Sequence, residues 1–380
     1  MRTRHARCMG SWWLMLRITE LTAAQRICIP LLSIADGNHN SLIREREWAM
    51  PQGSQSGQTT GLTIDDQVLA EMAPLLAAAA QAPTPALGDI ESRRANFKVL
   101  FDTLAAARSP IAGVGTEHYD VVADDGAKIN VIWYYPAGRL GRRDSAVLYL
   151  HGGGMFLSLN ETGRIYHSLI SHYVARSGVP MLLVDYRTAP EHADLRPVLD
   201  GYSALCWLVS NANALAVDPQ RIAVMGDSAG GGLAAGVCLI ARDQEGPAVA
   251  QQILVYPMLD DTTTSGRRPT PFLTWTYEDN LTAWQALLGA RSADRPDVSA
   301  YAAPARAADL SGLPAAYIDV GGLDIFCEED LAYARLLINS GVSTELHLYP
   351  GCPHAFDLLA PNADMSVGAL TNRVRRLSDL

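Results

Sequence analysis

Residues 226–231 read Gly226-Asp227-Ser228-Ala229-Gly230-Gly231, directly after the apolar run Ile222-Ala223-Val224-Met225 and ahead of a helix-like stretch. This is a G-x-S-x-G pattern seated between a strand and a helix, an elbow on which a serine is exposed as a nucleophile. A serine that attacks a carbonyl must project from a very tight turn. Glycines two residues to either side remove the collisions that such a turn makes with the neighbouring strand and helix. The turn also leaves Ser228 near a helix N-terminus, where free N–H groups and the dipole favour a developing oxyanion.

A nucleophilic serine needs a base, and the base needs an orienting carboxylate. Where this elbow occurs, the acid and then the histidine follow the serine, each on a loop after a late strand. Only two histidines lie downstream of Ser228. His347 alternates with Leu346 and Leu348 inside a strand pattern and reads as a sheet or surface residue. His354 follows Pro350-Gly351-Cys352-Pro353 in the loop beyond that strand. The run Ala315–Val320 leads into Gly321-Gly322-Leu323-Asp324, which sets Asp324 at a strand's carboxyl end. Glu328, Glu329 and Asp330 compete with it, but their places suit the first turn of the next helix. Upstream, the strand Ala146–Leu150 ends in His151-Gly152-Gly153-Gly154. Successive glycines there let the backbone approach a ligand and turn N–H groups outward, although an ordinary glycine turn has the same composition. The expected oxyanion donors are Gly152, Gly153 and Ala229.

Two further polar clusters bear on this chemistry. Asp185-Tyr186-Arg187 with Pro190-Glu191-His192 precedes the elbow. His192 breaks the expected order as a base, so a hydrogen-bond and ion-pair network bracing the active-site loops is the better reading. Asp227 has no place in the catalytic order and is expected to help set the local polar network. Cys352, two residues from His354, reads as a bystander loop thiol.

The elements that must position these groups follow from hydrophobic periodicity. From Thr63 to about Ala107 the pattern is helical, broken at Pro83 and Pro85. Strands are expected at Glu117–Val122, Lys128–Tyr135, Ala146–Leu150, Met181–Asp185, Arg221–Met225, Gln252–Tyr256, Ala315–Val320 and Thr344–Tyr349. The later ones are short, continuous apolar runs separated by helix-length segments, as buried parallel strands require. The first two, joined through Asp124-Asp125-Gly126, read as a hairpin at the sheet edge.

Composition sets the outer bounds. The 380 residues are 48% hydrophobic and 18% charged, enough for a large core, and the net charge of −10 argues against a nucleic-acid partner. Six cysteines show no C-x-x-C pair and no metal-ligand spacing, and Cys206 and Cys238 read as core thiols. A reducing, cytoplasmic location is therefore expected. No apolar run approaches the length of a membrane span. The first fifty residues carry seven arginines against four acidic residues. Cys8 to Leu16 has the look of a signal-peptide core, but it is short, Arg17 interrupts it and no clean cleavage site follows. Residues 1–60 are expected to be a disordered extension, with Met50 a plausible natural start.

With these motifs in order, the chain resembles the hormone-sensitive-lipase-like branch of the α/β-hydrolases, also called bacterial esterase family IV. The matching segments are His151-Gly152-Gly153-Gly154, Asp185-Tyr186-Arg187 with Ala189-Pro190-Glu191-His192, Gly226-Asp227-Ser228-Ala229-Gly230-Gly231, Tyr256-Pro257-Met258, Gly322-Leu323-Asp324 and Tyr349-Pro350-Gly351 with His354, spanning about residues 63–360. The resemblance implies an α/β fold with a mostly parallel central sheet flanked by helices. It implies Ser228 as nucleophile, His354 as base, Asp324 as its orienter, and no metal or cofactor. By the same likeness, residues 61–115 would form cap helices and 116–380 the catalytic domain. Residues 260–290, with Phe272, Trp275, Tyr277 and Trp284, would join the cap or line the pocket. Two positions depart from the family pattern: Cys327-Glu328 where an Arg-Asp pair is common, and Ala355 where a glycine usually follows the histidine. The first bears on packing around the acid and the second on the pocket rim.

The expected activity is hydrolysis of short-to-medium acyl esters through an acyl-enzyme. The alternatives are an amide or lactone hydrolase with the same triad, and a non-catalytic receptor, which would dispense with His354. The expected partner is a small-molecule ester, with no nucleic acid and no stable membrane insertion; a homodimer is compatible with the sequence.

Overall fold

A computed structural model describes residues 62–79, 83–109, 111–138, 144–265, 272–289 and 296–380. The expected extension over residues 1–60 and the start at Met50 lie outside them. Eight strands form one sheet: β1 (Val114–Val122), β2 (Lys128–Pro136), β3 (Asp144–Leu150), β4 (Met181–Val184), β5 (Val217–Asp227), β6 (Gln251–Val255), β7 (Ala315–Gly321) and β8 (Thr344–Tyr349). Their order is β1-β2-β4-β3-β5-β6-β7-β8. β1 and β2 are an antiparallel hairpin at the edge, β2 meets β4 antiparallel, and every later pairing is parallel. The hairpin turn closes through Gly126, whose N–H reaches the Ala123 carbonyl.

Period-two alternation divides the core between the two faces of the sheet. On β3, Ala146, Leu148 and Leu150 join one apolar cluster, which also holds Leu205 and Leu208 of α4 (Arg196–Ser210), much of α5 (Ala229–Asp243) and Leu337 of α7 (Cys327–Asn339). Val147 and Tyr149 face the other cluster, with Ile165 and Ile170 of α3 (Leu159–Ser177), Phe356 of α8 (Phe356–Leu359) and Ala369 and Leu377 of α9 (Asp364–Ser378). The central strands are buried on both sides, which is why they read as unbroken apolar runs.

The helical stretch ahead of the sheet resolves into α1 (Asp66–Ala79) and α2 (Ile90–Ala106). Asp89 caps α2 by accepting from the Ser92 N–H. α2 is held at both faces by consecutive arginines. Arg93 pairs with Asp279 of α6 (Tyr277–Leu288), and Arg94 forks onto Glu191 and also donates to the Phe156 and Ala189 carbonyls. α3 opens with a capping box between Ser158 and Glu161 and closes on Gly178 in the left-handed conformation. No described helix is long and apolar enough to cross a membrane.

The strand order reverses around β3, so β4 lies on one side of it and β5 on the other. The register sets Leu150 of β3 opposite Gly226 of β5. The glycine loop and the serine turn therefore emerge side by side at the carboxyl ends of adjacent strands, the place where open α/β sheets bind their ligands.

Candidate active site

Ser228 sits at φ 54 and ψ −124, immediately ahead of α5. This backbone conformation is rarely populated by a residue with a side chain, and it is over-determined here. The Ser228 N–H donates to the Val255 carbonyl, while its own carbonyl accepts from Gly232 and Met258. The flanking glycines are required for the reason read from the sequence. A Cβ at Gly226 would stand 2.1 Å from the Gly230 carbonyl oxygen, and one at Gly230 would stand 2.0 Å from that of Leu150.

His354 Nε2 lies 3.0 Å from Ser228 Oγ, and its Nδ1 lies 2.7 Å from Asp324 Oδ2. The three side chains come from the loops after β5, β7 and β8 and are all nearly inaccessible. Asp324 is held by the Phe326 N–H, which donates to Oδ1. Rings fix the imidazole: Tyr256 and Phe326 meet it edge-on at centroid distances of 4.9 and 5.0 Å. Thr274 adds a bond from its hydroxyl to the His354 carbonyl, 2.6 Å.

The competing acids are placed elsewhere. Glu329 accepts from the N–H groups of Leu259 and Asp260 and from the Thr263 hydroxyl. Burial pushes its carboxyl well up, as it does that of Asp330. His347 stays on β8 beside Glu345, and His192 is exposed. The cluster around His192 does brace loops. Arg187 forks onto buried Asp200 and reaches Asp125, and the Tyr186 hydroxyl donates to the His151 carbonyl.

One expected oxyanion donor is otherwise engaged. The Gly152 N–H donates to the Tyr166 hydroxyl at 2.7 Å, so it is not free for a ligand. The N–H groups of Gly153, Gly154 and Ala229 have no acceptor among the described residues. His151 completes the arrangement from the other side, with Nδ1 2.8 Å from the Gly152 carbonyl. Because C=O and N–H of a trans peptide point in opposite directions, a Gly152 carbonyl held by His151 turns the Gly153 N–H away from that ring. Burial pushes the His151 imidazole down to about 4, leaving it neutral with its proton on Nδ1 to donate.

Asp227, beside the serine, receives the hydroxyls of Tyr149 (2.8 Å) and Tyr166 (2.5 Å). Burial pushes its carboxyl up to about 6, against the lowering effect of those two donors. The sequence anticipates a polar role for Asp227 but gives no hint of Tyr166, which lies mid-helix among α3 residues of ordinary amphipathic spacing.

A cavity of about 60 Å³ opens at Ser228, lined mainly by Phe97, Leu100, Phe101, Leu157, Trp275 and Leu358. α2 thus supplies one wall of the pocket. Of the four aromatics in 260–290, only Trp275 lines it; Trp284 is buried in the core and Phe272 is exposed. Ala355 forms part of the rim. Cys352 is buried, its thiol pushed up to about 12 by desolvation, as befits an unreactive loop residue. Among the described residues no group of three or more His, Cys, Asp or Glu side chains is placed to hold a metal ion.

Comparison with known proteins agrees with this architecture. Residues 147–358 match the family model described as the alpha/beta hydrolase fold. The carboxylesterase NlhH of Mycobacterium tuberculosis is 37% identical over 231 residues, covering 58% of this chain and 70% of that protein. Among solved structures, a bacterial heroin esterase superposes with a TM-score of 0.74 at 33% identity, over 83% of this chain and 98% of that one. A hyperthermophilic esterase from the archaeon Pyrobaculum calidifontis gives 0.70 at 29% identity, over 84% and 99%. The chain belongs to the alpha/beta hydrolase fold family, as its resemblance to the hormone-sensitive-lipase-like branch implied.

Proposed function

We propose that this protein is a serine carboxylesterase that hydrolyses short-to-medium acyl esters through an acyl-enzyme. The observation that carries this reading is the hydrogen-bonded line from Ser228 through His354 to Asp324, standing at the mouth of a small apolar pocket. The relatives it resembles, a carboxylesterase and esterases, support the same reaction class.

His354 Nε2 accepts the Ser228 proton as Oγ attacks the ester carbonyl. Asp324 keeps the other ring proton on Nδ1 and stabilises the imidazolium that forms. Negative charge develops on the carbonyl oxygen, and the N–H groups of Gly153, Gly154 and Ala229 are available to receive it. One such donor is worth about 3–4 kcal/mol in the transition state. The imidazolium then protonates the leaving alcohol. Water, deprotonated by the same histidine, releases the acid and regenerates Ser228.

In this reading α2 acts as a cap over Ser228, which its place in the pocket wall supports. Phe97 and Phe101 of α2, with Trp275, give the pocket apolar walls that would enclose an apolar part of the ester and exclude water. Apolar walls of this kind suit a short-to-medium acyl chain.

Hydrolysis of p-nitrophenyl esters of graded acyl length, by the wild type and by Ser228→Ala, tests this reading. The expected result is a preference for acetyl to hexanoyl and a loss of at least about 1000-fold in kcat for the variant. Near-full activity in folded Ser228→Ala would remove the assignment.

A further inference from the structure

We propose that Tyr166 is a positioning residue that ties the glycine loop after β3 to the serine turn through Asp227. The proposal rests on the hydrolytic role given to Ser228 above and extends it to a buried tyrosine in the wall of the same pocket, acting through the glycine loop and Asp227.

The two halves of the anion site arise on different segments. Ala229 rides on the serine turn, whereas Gly153 and Gly154 ride on the loop after β3. Nothing in the β3–β5 ladder fixes their separation, since the register ends at the Leu150–Gly226 pair. Beyond it, the Tyr166 hydroxyl spans the gap. It accepts from the Gly152 N–H and donates to Asp227 Oδ2, which belongs to the residue immediately before Ser228. A hydroxyl has one proton to donate and lone pairs to accept, so both of these bonds are made at once. Tyr149 holds the other Asp227 oxygen and keeps the carboxylate from turning.

Steric contact supports the same conclusion independently of the hydrogen bonds. A Cβ at Gly152 would lie 2.6 Å from Asp227 Oδ2 and 2.8 Å from the Tyr166 hydroxyl. The loop, the tyrosine and the carboxylate are therefore in mutual contact, and none can shift alone. Removal of the hydroxyl orphans a buried N–H and a carboxylate oxygen. The His151–Gly152 peptide that carries this N–H then turns to find another partner, and the Gly152–Gly153 peptide, joined to it at the Gly152 Cα, shifts with it and re-aims the Gly153 N–H. A donor displaced by about 1 Å costs on the order of 100-fold in rate.

Tyr166→Phe tests this with two matched inhibitors. A trifluoromethyl ketone adds to the serine and carries an oxyanion, whereas the corresponding methyl ketone binds as a neutral ground-state mimic. For Tyr166→Phe, kcat should fall about 10- to 100-fold with KM within about threefold, and trifluoromethyl ketone affinity should fall in step with kcat/KM. Methyl ketone affinity should change by less than about threefold. A merely structural tyrosine would weaken both ketones together or leave kcat intact, and either outcome overturns the proposal. Should Tyr166→Phe not fold, Asp227→Asn replaces it: the expected pattern is the same at about 3- to 10-fold, and unchanged kcat refutes the link. Failure of the wild type to form the trifluoromethyl ketone adduct would instead remove the reading of Ser228 itself, and this proposal with it.

Discussion

Arg373 of α9 meets Asp319 of β7 through two side-chain hydrogen bonds, Nε to Oδ2 at 2.7 Å and Nη2 to Oδ1 at 2.9 Å, with both residues fully buried. The same guanidinium also bonds Asp357, just beyond His354, and Asp357 accepts from the hydroxyl of Tyr256, whose ring packs on the His354 imidazole. The last helix is thereby anchored under the loop that carries the proposed base.

Replacement of Arg373 by methionine leaves two buried carboxylates without their cation. A loss of about 3–5 kcal/mol in unfolding free energy is expected, read from urea midpoints. Ester turnover at a temperature where the variant remains folded should fall as well, because Tyr256 and Asp357 lose their support. A change below about 1 kcal/mol would show that the ion pair does not organise this region.

Asp227 gives stability a pH dependence of definite sign. Its folded-state pKa of about 6 lies above the unfolded value of 3.8, with burial the main cause. Its contribution is therefore fully present below about pH 4 and is lost as pH rises through 6. Tyr149 of β3 and Tyr166 of α3 face it directly, with Asp357 and Arg373 acting at longer range. His151, held down to about 4, works in the opposite sense across much of this window, so the wild-type curve alone mixes the two. The difference between wild type and Asp227→Asn isolates the carboxyl. Relative to the variant, the wild type should lose up to about 3 kcal/mol between pH 4 and pH 7.5. A difference that grows in the wild type's favour over that range contradicts the burial argument.

Ala355 follows the proposed base at φ 56, in the left-handed region. An alanine there is strained by about 1–2 kcal/mol, while a glycine costs about 0.5–1 kcal/mol in chain entropy. Ala355→Gly should therefore raise Tm slightly, by the equivalent of up to about 1 kcal/mol. A clear fall in Tm would mean that the methyl group at the pocket rim contributes packing that outweighs the strain.

Much of this fold was legible because the central strands are buried on both faces and read as short apolar runs. Strand ends moved by only a few residues, as where β5 begins at Val217 rather than Arg221. Ser228, Asp324 and His354 were legible for a related reason: each follows an apolar run whose strand direction dictates where the loop beyond it emerges. The long-range polar pairs were not. Tyr166 is separated from Gly152 by one turn of loop and half a helix, and Arg373 lies 54 residues from Asp319. No local pattern states that a helical tyrosine will capture a glycine N–H. The expected donor role of Gly152 failed on that point, since sequence shows which glycines free a backbone but not where each N–H turns.

The most direct test of the central claim is covalent. Wild-type protein treated with a fluorophosphonate should take up one phosphonyl group on Ser228, mapped by peptide mass spectrometry, and lose ester hydrolysis in proportion to labelling. Hydrolysis that persists in fully labelled protein, or inactivation with Ser228 unmodified, would contradict it.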